Sequence, residues 1–241
     1  MKNTIYLSIF LCAWLFLCAC SLIKDHQFPP VTTCSPVSGV VGCYSFSEGG
    51  KDGSGNNNTA QIIEAKPASD RFNNPNSAYQ FNGINTVIYV DNIDYGSTIT
   101  MACWVKADNL NQDAVIMYYG DPKHNGFGLE MSNGLCNKGN KVSILLGGVN
   151  CDLANSSEYI TDTNWHHLVL VKKDKSFSLF VDGAQKLTVS GTNNEPTKRL
   201  NIGAHLFLAE NNGYFSGKID EVQLYNRALT VDEVLQVFLA H

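Results

Sequence analysis

Carboxylates, amides and histidines that could carry chemistry occur in this chain, but none of them forms a known catalytic arrangement. Glu130 is an isolated carboxylate, with no acidic residue two or four positions away. A retaining glycosidase needs two carboxylates about 5 Å apart. The sequence also has no Gly-x-Ser-x-Gly elbow, no His-Glu-x-x-His and no phosphate loop. We therefore predict a protein that is not an enzyme.

The elements that must position any functional residue are β-strands. Between residues 39 and 229 the apolar residues come in short runs, often alternating, separated by Gly, Asn, Asp and Ser. This pattern is typical of many antiparallel strands. The pair Asp182-Gly183 predicts a tight hairpin turn. The chain has 241 residues, 44% of them hydrophobic and 16% charged, which is ordinary for one globular domain.

The last part of the chain, residues 215–241, predicts a strand followed by a short helix. Apolar residues alternate, with a slip near Glu221. Thr230 and Glu233 then have the spacing of a capping box, in which each side chain bonds the other residue's backbone amide. Leu229 precedes the cap and could pack on Val234 one turn into the helix.

Residues 215–229 resemble the closing strand of the laminin-G-like jelly rolls in the concanavalin A-like lectin and glucanase superfamily. Residues 71–83, 99–106, 164–171 and 179–183 are similar to other strands and turns of that family, in the same order. The resemblance implies an all-β fold over residues 39–241. The expected architecture is an antiparallel two-sheet jelly-roll sandwich with a short C-terminal helix. It also implies that Trp104 and Trp165 lie in the core, and that His166 and His167 point to opposite faces of a strand.

Residues 1–19 read as a targeting segment, with Lys2 followed by a short apolar core. The end of that segment, Leu-Cys-Ala-Cys, resembles a bacterial lipobox, in which Cys20 would become the lipidated N-terminus. The alternative is a plain signal peptide. Residues 20–38 would then form a tether. Ser21 after the cysteine favours the outer membrane, so we expect an exported, lipid-anchored protein that could be exposed at the cell surface.

Five cysteines follow Cys20 in the sequence. Export would place them in an oxidising compartment, where disulfides can form. The spacing around a strand-like segment favours a bond between Cys136 and Cys151, and a bond between Cys34 and Cys43 is the second choice. Cys103 lies in an apolar strand, and we expect it to be a free, buried thiol. The sequence has no Cys-x-x-Cys pair, the motif that would suggest zinc or redox chemistry.

Calcium is the one metal that the resemblance implies. Related jelly rolls often hold a structural calcium between an early loop and the closing strand, which here means Asp52 and Asp220. A second arrangement in the family would place calcium at the rim, with Asp121 and Asn211. The alternative for Asp220 is a buried carboxylate bound by backbone amides. An EF-hand is excluded because Asn57 and Ile63 stand where Gly and Glu are required.

Two loops, residues 120–126 and 209–213, are the candidate ligand-binding region. If the chain is a jelly roll, these loops gather at the rim, where lectin-like domains bind, although they could equally be solvated turns. The net charge of -5 and the lack of a basic stripe exclude nucleic acid as a partner. We predict a non-catalytic, surface-anchored recognition module for a glycan or a host or matrix protein. The alternatives are a structural envelope lipoprotein and, third, a divergent glycoside hydrolase. The predicted ligand-binding residues are Tyr118, Tyr119, Asp121, His124, Asn125, Asn211, Asn212 and Tyr214.

Overall fold

The computed structural model describes residues 34–93, 97–120, 125–132, 141–147, 160–193, 198–205 and 213–240. These residues form strands that are joined by turns and followed by one helix. The strands are β1 (Val40–Tyr44), β2 (Gln61–Ile63), β3 (Lys66–Ala68), β4 (Ala78–Asn82), β5 (Val87–Asp91), β6 (Ile99–Ala107), β7 (Ala114–Tyr119), β8 (Phe127–Ser132), β9 (Lys141–Leu146), β10 (His166–Lys173), β11 (Ser176–Val181), β12 (Ala184–Ser190), β13 (Arg199–Ile202) and β14 (Ser216–Tyr225), and the helix is α1 (Val231–Ala240).

The strands form two antiparallel sheets. The eight-stranded sheet has the order β12-β11-β10-β6-β14-β4-β3, and β1 also pairs with β14. The six-stranded sheet has the order β2-β5-β13-β7-β8-β9. Strands that are neighbours in a sheet are frequently far apart in the sequence. The paired strands β6 and β14 are an example. The predicted fold class, a two-sheet antiparallel sandwich with a short C-terminal helix, is confirmed.

Alternation along the strands decides which side chains face the core. In β6, Met101, Cys103 and Val105 belong to the main buried cluster between the sheets, while Ala102 and Trp104 point to the opposite side. Cys103 is a free, buried thiol, as predicted. Its burial raises the pKa of the thiol and makes it a poor nucleophile.

The closing strand β14 shows the predicted slip. Its register with β6 shifts between Asp220 and Gln223, and Glu221 has a φ of 46°. This β-bulge places one additional residue in β14. Ile219, Val222 and Leu224 all remain in the main core in spite of the break in alternation.

Helix α1 begins with the predicted capping box. The Thr230 amide donates to Glu233 Oε2 at 2.9 Å, and the Glu233 amide donates to Thr230 Oγ1 at 3.3 Å. The helix packs on the outer face of the eight-stranded sheet, where Leu229, Val234 and Val237 join a second buried cluster with residues of β6, β10, β11 and β14. The helix therefore covers the sheet face that points away from the main core.

The hairpin between β11 and β12 turns at Asp182 and Gly183, which have φ values of 51° and 75°. Positive φ at both positions is the requirement of the type I′ turn that Asp-Gly predicts.

A disulfide joins Cys34 to Cys43, with 5.9 Å between their Cα atoms. This was the second choice from the sequence, and it ties residue 34 to β1. Cys136 and Cys151, the first choice, lie outside the described residues, so their pairing stays a prediction. Cys20 also lies outside them. No helix in the described part of the chain is long and apolar enough to cross a membrane.

Candidate functional site

The outer face of the six-stranded sheet carries an unusual set of polar residues in its central strands. Asn201 in β13 lies opposite Tyr118 in β7, and Glu130 in β8 lies opposite Ser143 in β9. The sequence neighbours of Asn201 and Glu130 are apolar residues of the main core. Alternation therefore turns Asn201 and Glu130 away from that core. We call Asn201, Tyr118, Glu130 and Ser143 the polar face.

Asn201 is fully buried within the polar face. Its Nδ2 donates to the Gly120 carbonyl at 3.2 Å, but its Oδ1 has no hydrogen-bond partner among the described residues. An unsatisfied buried acceptor costs about 1–3 kcal/mol. A donor from a bound molecule or from water would remove this cost.

Glu130 combines a partly exposed side chain with one buried oxygen. Oε1 has no hydrogen-bond partner in the part of the chain that the structure describes. Burial of the carboxyl, and then the negative charge of Asp113, raise the pKa of Glu130 to about 7. Near neutral pH this group therefore exists in both protonation states, and it can donate or accept a hydrogen bond.

The polar face is bordered by parts of both predicted rim loops. The Tyr118 hydroxyl donates to the carbonyl of Asn125 at 2.9 Å, and the Tyr118 ring meets the His205 ring edge-on, with 5.0 Å between centroids. The Val115 amide donates to the Gly213 carbonyl at 2.8 Å. Segments that are about 90 residues apart in the sequence are therefore neighbours at this edge.

The predicted ligand-binding residues have different outcomes. Tyr118 and Tyr119 are buried, and the Tyr119 hydroxyl donates to the Ile93 carbonyl at 3.0 Å. The Tyr119 ring belongs to the main core, whereas the Tyr118 ring packs against His205 on the outer face, and neither ring is exposed to stack on a ligand. Asn125 and Tyr214 are partly exposed. Four further members of the predicted set lie outside the described residues: Asp121, His124, Asn211 and Asn212.

The carboxylate of Asp52 does not have the free oxygens that a calcium site requires. Oδ1 accepts the amides of Cys43 and Ser54, and Oδ2 accepts the Ser54 hydroxyl and the Asn58 amide, all at 2.8–3.0 Å. These four donors hold the loop after β1 in its conformation. Asp52 therefore has a structural role that explains its burial without a metal.

Asp220 has a guanidinium as its counter-ion. Arg71 Nη1 lies 3.4 Å from Asp220 Oδ2, and the Glu221 amide donates to Oδ1 at 2.7 Å. Burial, and then the charge of Glu221, raise the pKa of Asp220 well above its usual range. No group of three or more His, Cys, Asp or Glu side chains suited to a metal occurs among the described residues. The contacts of Asp52 and Asp220 thus do not fit a shared calcium site.

The alternative rim site at Asp121 and Asn211 lies outside the described residues, so calcium binding stays a prediction.

The outer face of the eight-stranded sheet carries an aromatic stack. The Trp104 ring lies 5.2 Å from the His167 ring and 5.7 Å from the Phe238 ring, measured between centroids. Trp104 is buried as predicted, whereas Trp165 is only partly buried. We interpret this stack as the packing between α1 and the sheet.

The two adjacent histidines point to opposite faces, as predicted. His167 is buried in the aromatic stack. His166 instead lies between two carboxylates, with Nδ1 at 2.9 Å from Asp182 and Nε2 at 3.2 Å from Asp162. The hydrogen bond with Asp182 is the main reason that the pKa of His166 is raised. No single ion could be held by both rings in this arrangement.

Sequence reasoning missed Asn201 and His205. One signal was present, because Asn201 stands between Leu200 and Ile202 in a strand whose other central residues are buried. An amide at such a position must find partners on the outer face. The contact between His205 and Tyr118 had no local signal, since it depends on how two distant segments meet.

Comparison with known proteins agrees with this architecture. A laminin-G-type family model, described as the concanavalin A-like lectin/glucanases superfamily, matches residues 81–235. No curated protein sequence matches the chain. Among solved structures, domain 4 of AbnA, a GH43 extracellular arabinanase from Geobacillus stearothermophilus in complex with arabinotriose, is similar. The TM-score is 0.67 and the identity is 17%, over 82% of this chain and 97% of that one.

Two other similar structures are larger proteins. Trypanosoma rangeli sialidase in complex with sialic acid has a TM-score of 0.64 and 20% identity, and the match covers 85% of this chain but 33% of the sialidase. The receptor binding domain of botulinum neurotoxin C/D mosaic serotype has a TM-score of 0.61 and 14% identity, over 84% of this chain and 51% of that domain. At these identities the structures show a shared fold. The match to the family model extends over more than half of the sequence, and the chain belongs to the concanavalin A-like lectin/glucanase superfamily.

Proposed function

We propose that this domain is a non-catalytic recognition module that binds a glycan at the polar face. The observation that carries the proposal is the presence of two buried, unpartnered oxygens, Asn201 Oδ1 and Glu130 Oε1, on one face of the sheet. Each oxygen has lone pairs available to a donor, and the Glu130 side chain is partly exposed at the surface. Sugar hydroxyls both donate and accept, and they match an amide and a half-protonated carboxyl.

Two similar structures support this choice of ligand. One is a complex with arabinotriose and the other a complex with sialic acid. Those ligands belong to those proteins, and the low identity means that they do not identify the ligand here. A protein partner is the alternative, and the similar neurotoxin domain is named for receptor binding.

One observation favours the second candidate, a divergent glycoside hydrolase. Glu130 has a pKa raised to about 7, and the Asp113 carboxylate contributes to that shift. A protonated carboxyl near a second carboxylate is the pairing that a glycosidase uses. We favour binding because the sequence lacks the Glu-x-Asp-x-x-Glu strand motif that supplies such a pair in the related glucanases.

A glycan array, followed by titration of any hit, tests the proposal on the purified full-length protein in detergent. The Glu130→Ala and Asn201→Leu variants should weaken binding at least about tenfold, the loss expected for removing one charge-assisted or buried hydrogen bond. Glu48→Ala is the matched control, because Glu48 is an exposed carboxylate paired with Lys51. Folding of each variant is checked by circular dichroism.

The outcomes separate the candidate functions. Binding that persists in both variants would place the ligand elsewhere. Cleavage of the bound glycan, lost in Glu130→Gln, would favour the hydrolase. Binding that requires calcium and disappears with chelator would favour the predicted rim site at Asp121 and Asn211. A domain that binds no glycan or protein would favour the structural envelope role.

A further inference from the structure

Helix α1 exposes a row of apolar side chains in addition to the face that it buries. Val231, Leu235 and Leu239 are 53%, 43% and 70% exposed. Their spacing of four residues places them along one side of the helix. We call these three residues the apolar row. Exposed leucines at such spacing are informative because a helix needs only one apolar face to pack on its own domain.

A fourth exposed hydrophobic residue, Phe72, lies on the same side of the domain. Phe238 stacks on Trp104, and the Arg71 guanidinium lies 4.4 Å from the Trp104 ring and 4.4 Å from the Phe72 ring. Phe72 is 54% exposed. A continuous series of contacts therefore joins the helix to Phe72 across the outer face of the eight-stranded sheet.

The N-terminal part of the domain packs on this same outer face. The hydroxyls of Ser35 and Tyr225 lie 2.7 Å apart, and Gln223 Nε2 donates to the Cys34 carbonyl at 2.8 Å. Val37 belongs to the buried cluster that also contains residues of α1. Residues 34–38, predicted as part of the tether, are thus held on the domain, and the Cys34–Cys43 disulfide fixes the point where the preceding chain joins it.

The length of the preceding chain limits how the domain can be oriented. If Cys20 carries lipid, residues 20–33 are the tether, and a random-coil chain of that length would have a mean end-to-end distance of about 20 Å. A folded domain of this size has a radius of gyration of about 17 Å, which corresponds to a diameter of about 40 Å. A tether whose mean reach is shorter than the domain diameter favours orientations in which the side that carries Cys34 faces the bilayer.

We infer that the apolar row and Phe72 rest on the lipid surface to which the N-terminus is anchored, so that the polar face points away from the membrane. The occupant of the exposed apolar surface is the acyl and headgroup boundary of that bilayer. A shallow contact of four side chains is weak alone, but anchoring supplies a high effective lipid concentration. The inference depends on the lipid anchor and not on the identity of any ligand at the polar face.

Site-specific photocrosslinking in cells that make the full-length protein tests this orientation. Benzoylphenylalanine replaces Leu239 in one strain, Phe72 in a second and Ile63 in a third. Ile63 is the control because it is an exposed apolar residue, at 39%, in the six-stranded sheet. All three positions are exposed, so the substitutions should leave folding intact. Membrane fractionation in parallel reports whether the protein is anchored.

The expected result is membrane-bound protein with lipid adducts at positions 239 and 72, at least about five times more abundant than at position 63. Equal or absent lipid adducts in membrane-bound protein would overturn the orientation while leaving the anchor intact. Protein adducts at position 239 would overturn it too, because a protein would then cover the row. A soluble protein, or one whose membrane binding survives Cys20→Ser, would overturn it through the anchor.

Discussion

Glu130 is a largely buried carboxyl whose ionisation lowers the stability of the folded protein. Its folded-state pKa is raised from 4.5 to about 7. Between these two values the unfolded state releases its proton first, so the folded state binds more protons and stability falls as pH rises. Above pH 7 the full cost of the buried charge is present.

We expect Glu130→Gln to stabilise the protein at pH 8, because the amide has no charge to bury. The gain in the free energy of unfolding should be about 1–2 kcal/mol. This is less than the full pKa shift would give, because the side chain is partly exposed and solvent screens its charge. At pH 4 the variant and the native protein should differ little. Thermal unfolding at both pH values measures this, and a variant that is destabilised equally at both would contradict the assignment.

The His166 site has the opposite relation between charge and stability. Asp182 holds the pKa of His166 above its ordinary value of 6.5. The protonated pair therefore adds stability at pH values below 6.5, and this contribution is lost as pH rises through the folded pKa. Burial works against the carboxylate of Asp182, but hydrogen bonds from His166 and His167 lower its pKa overall.

We expect Asp182→Asn to lower the pKa of His166 toward 6.5, as followed by the chemical shift of the imidazole in an NMR titration. Asparagine can keep the positive φ of this turn position. Asp162→Asn is the matched comparison, because Asp162 is exposed and its contact with His166 is longer. It should produce the smaller shift, and an equal effect of both variants would contradict the ranking of the two contacts.

At the scale of one element, the start of α1 is determined by groups close together in the sequence. Glu233 bonds the Thr230 amide, and it also receives two hydrogen bonds from the Arg227 guanidinium at 2.8 and 2.7 Å. Arg227 is the main cause that lowers the pKa of Glu233 to about 2. The Glu233 side chain therefore links the start of α1 to Arg227, which follows the closing strand β14.

Thr230→Ala should lower the free energy of unfolding by about 1 kcal/mol, the usual effect of losing an N-cap. Thr230→Ser retains the hydroxyl and should stay within about 0.5 kcal/mol of the native protein. Denaturant titration of both variants measures the difference. If Ser and Ala variants lose the same stability, the hydroxyl does not cap the helix in solution.

At the scale of the whole molecule, β14 holds the fold together because it pairs with β1, β4 and β6. These partners come from the start and the middle of the chain. The Cys34–Cys43 disulfide adds a covalent link to this region, because Cys43 lies in β1. Its loss should therefore affect both stability and the position of the N-terminal segment.

Replacing Cys34 and Cys43 by Ser together should lower the free energy of unfolding by about 2–3 kcal/mol, the chain-entropy estimate for a short loop. Non-reducing peptide mapping of the native protein should show the Cys34–Cys43 link, and the same map tests the predicted Cys136–Cys151 bond. Cys103→Ala is the control for cysteine removal, because Cys103 has no disulfide partner. A map with Cys34 as a free thiol would contradict the structure.

The sequence alone determined the features that depend on near neighbours. Alternation identified β14 and the slip at Glu221, because side-chain direction in a strand follows from backbone geometry. The Asp182-Gly183 pair identified the hairpin turn, and the family resemblance identified β6. The capping box could also be predicted from the sequence, because its two partners are only three residues apart. The resemblance to the laminin-G-like family, which excludes the first 38 residues, then supplied the order of the strands.

Only the tertiary structure decided which side chains are brought together from distant strands. Arg71 lies beside Asp220, although 149 positions separate them, so the carboxylate that was predicted as a calcium ligand has a guanidinium as its neighbour. Tyr118 is buried, with its ring against His205 and its hydroxyl bonded to the Asn125 carbonyl. The polar face likewise exists because Asn201 and Glu130 share a sheet. Such pairings depend on the register of strands and on packing between segments, and local sequence patterns do not contain that information.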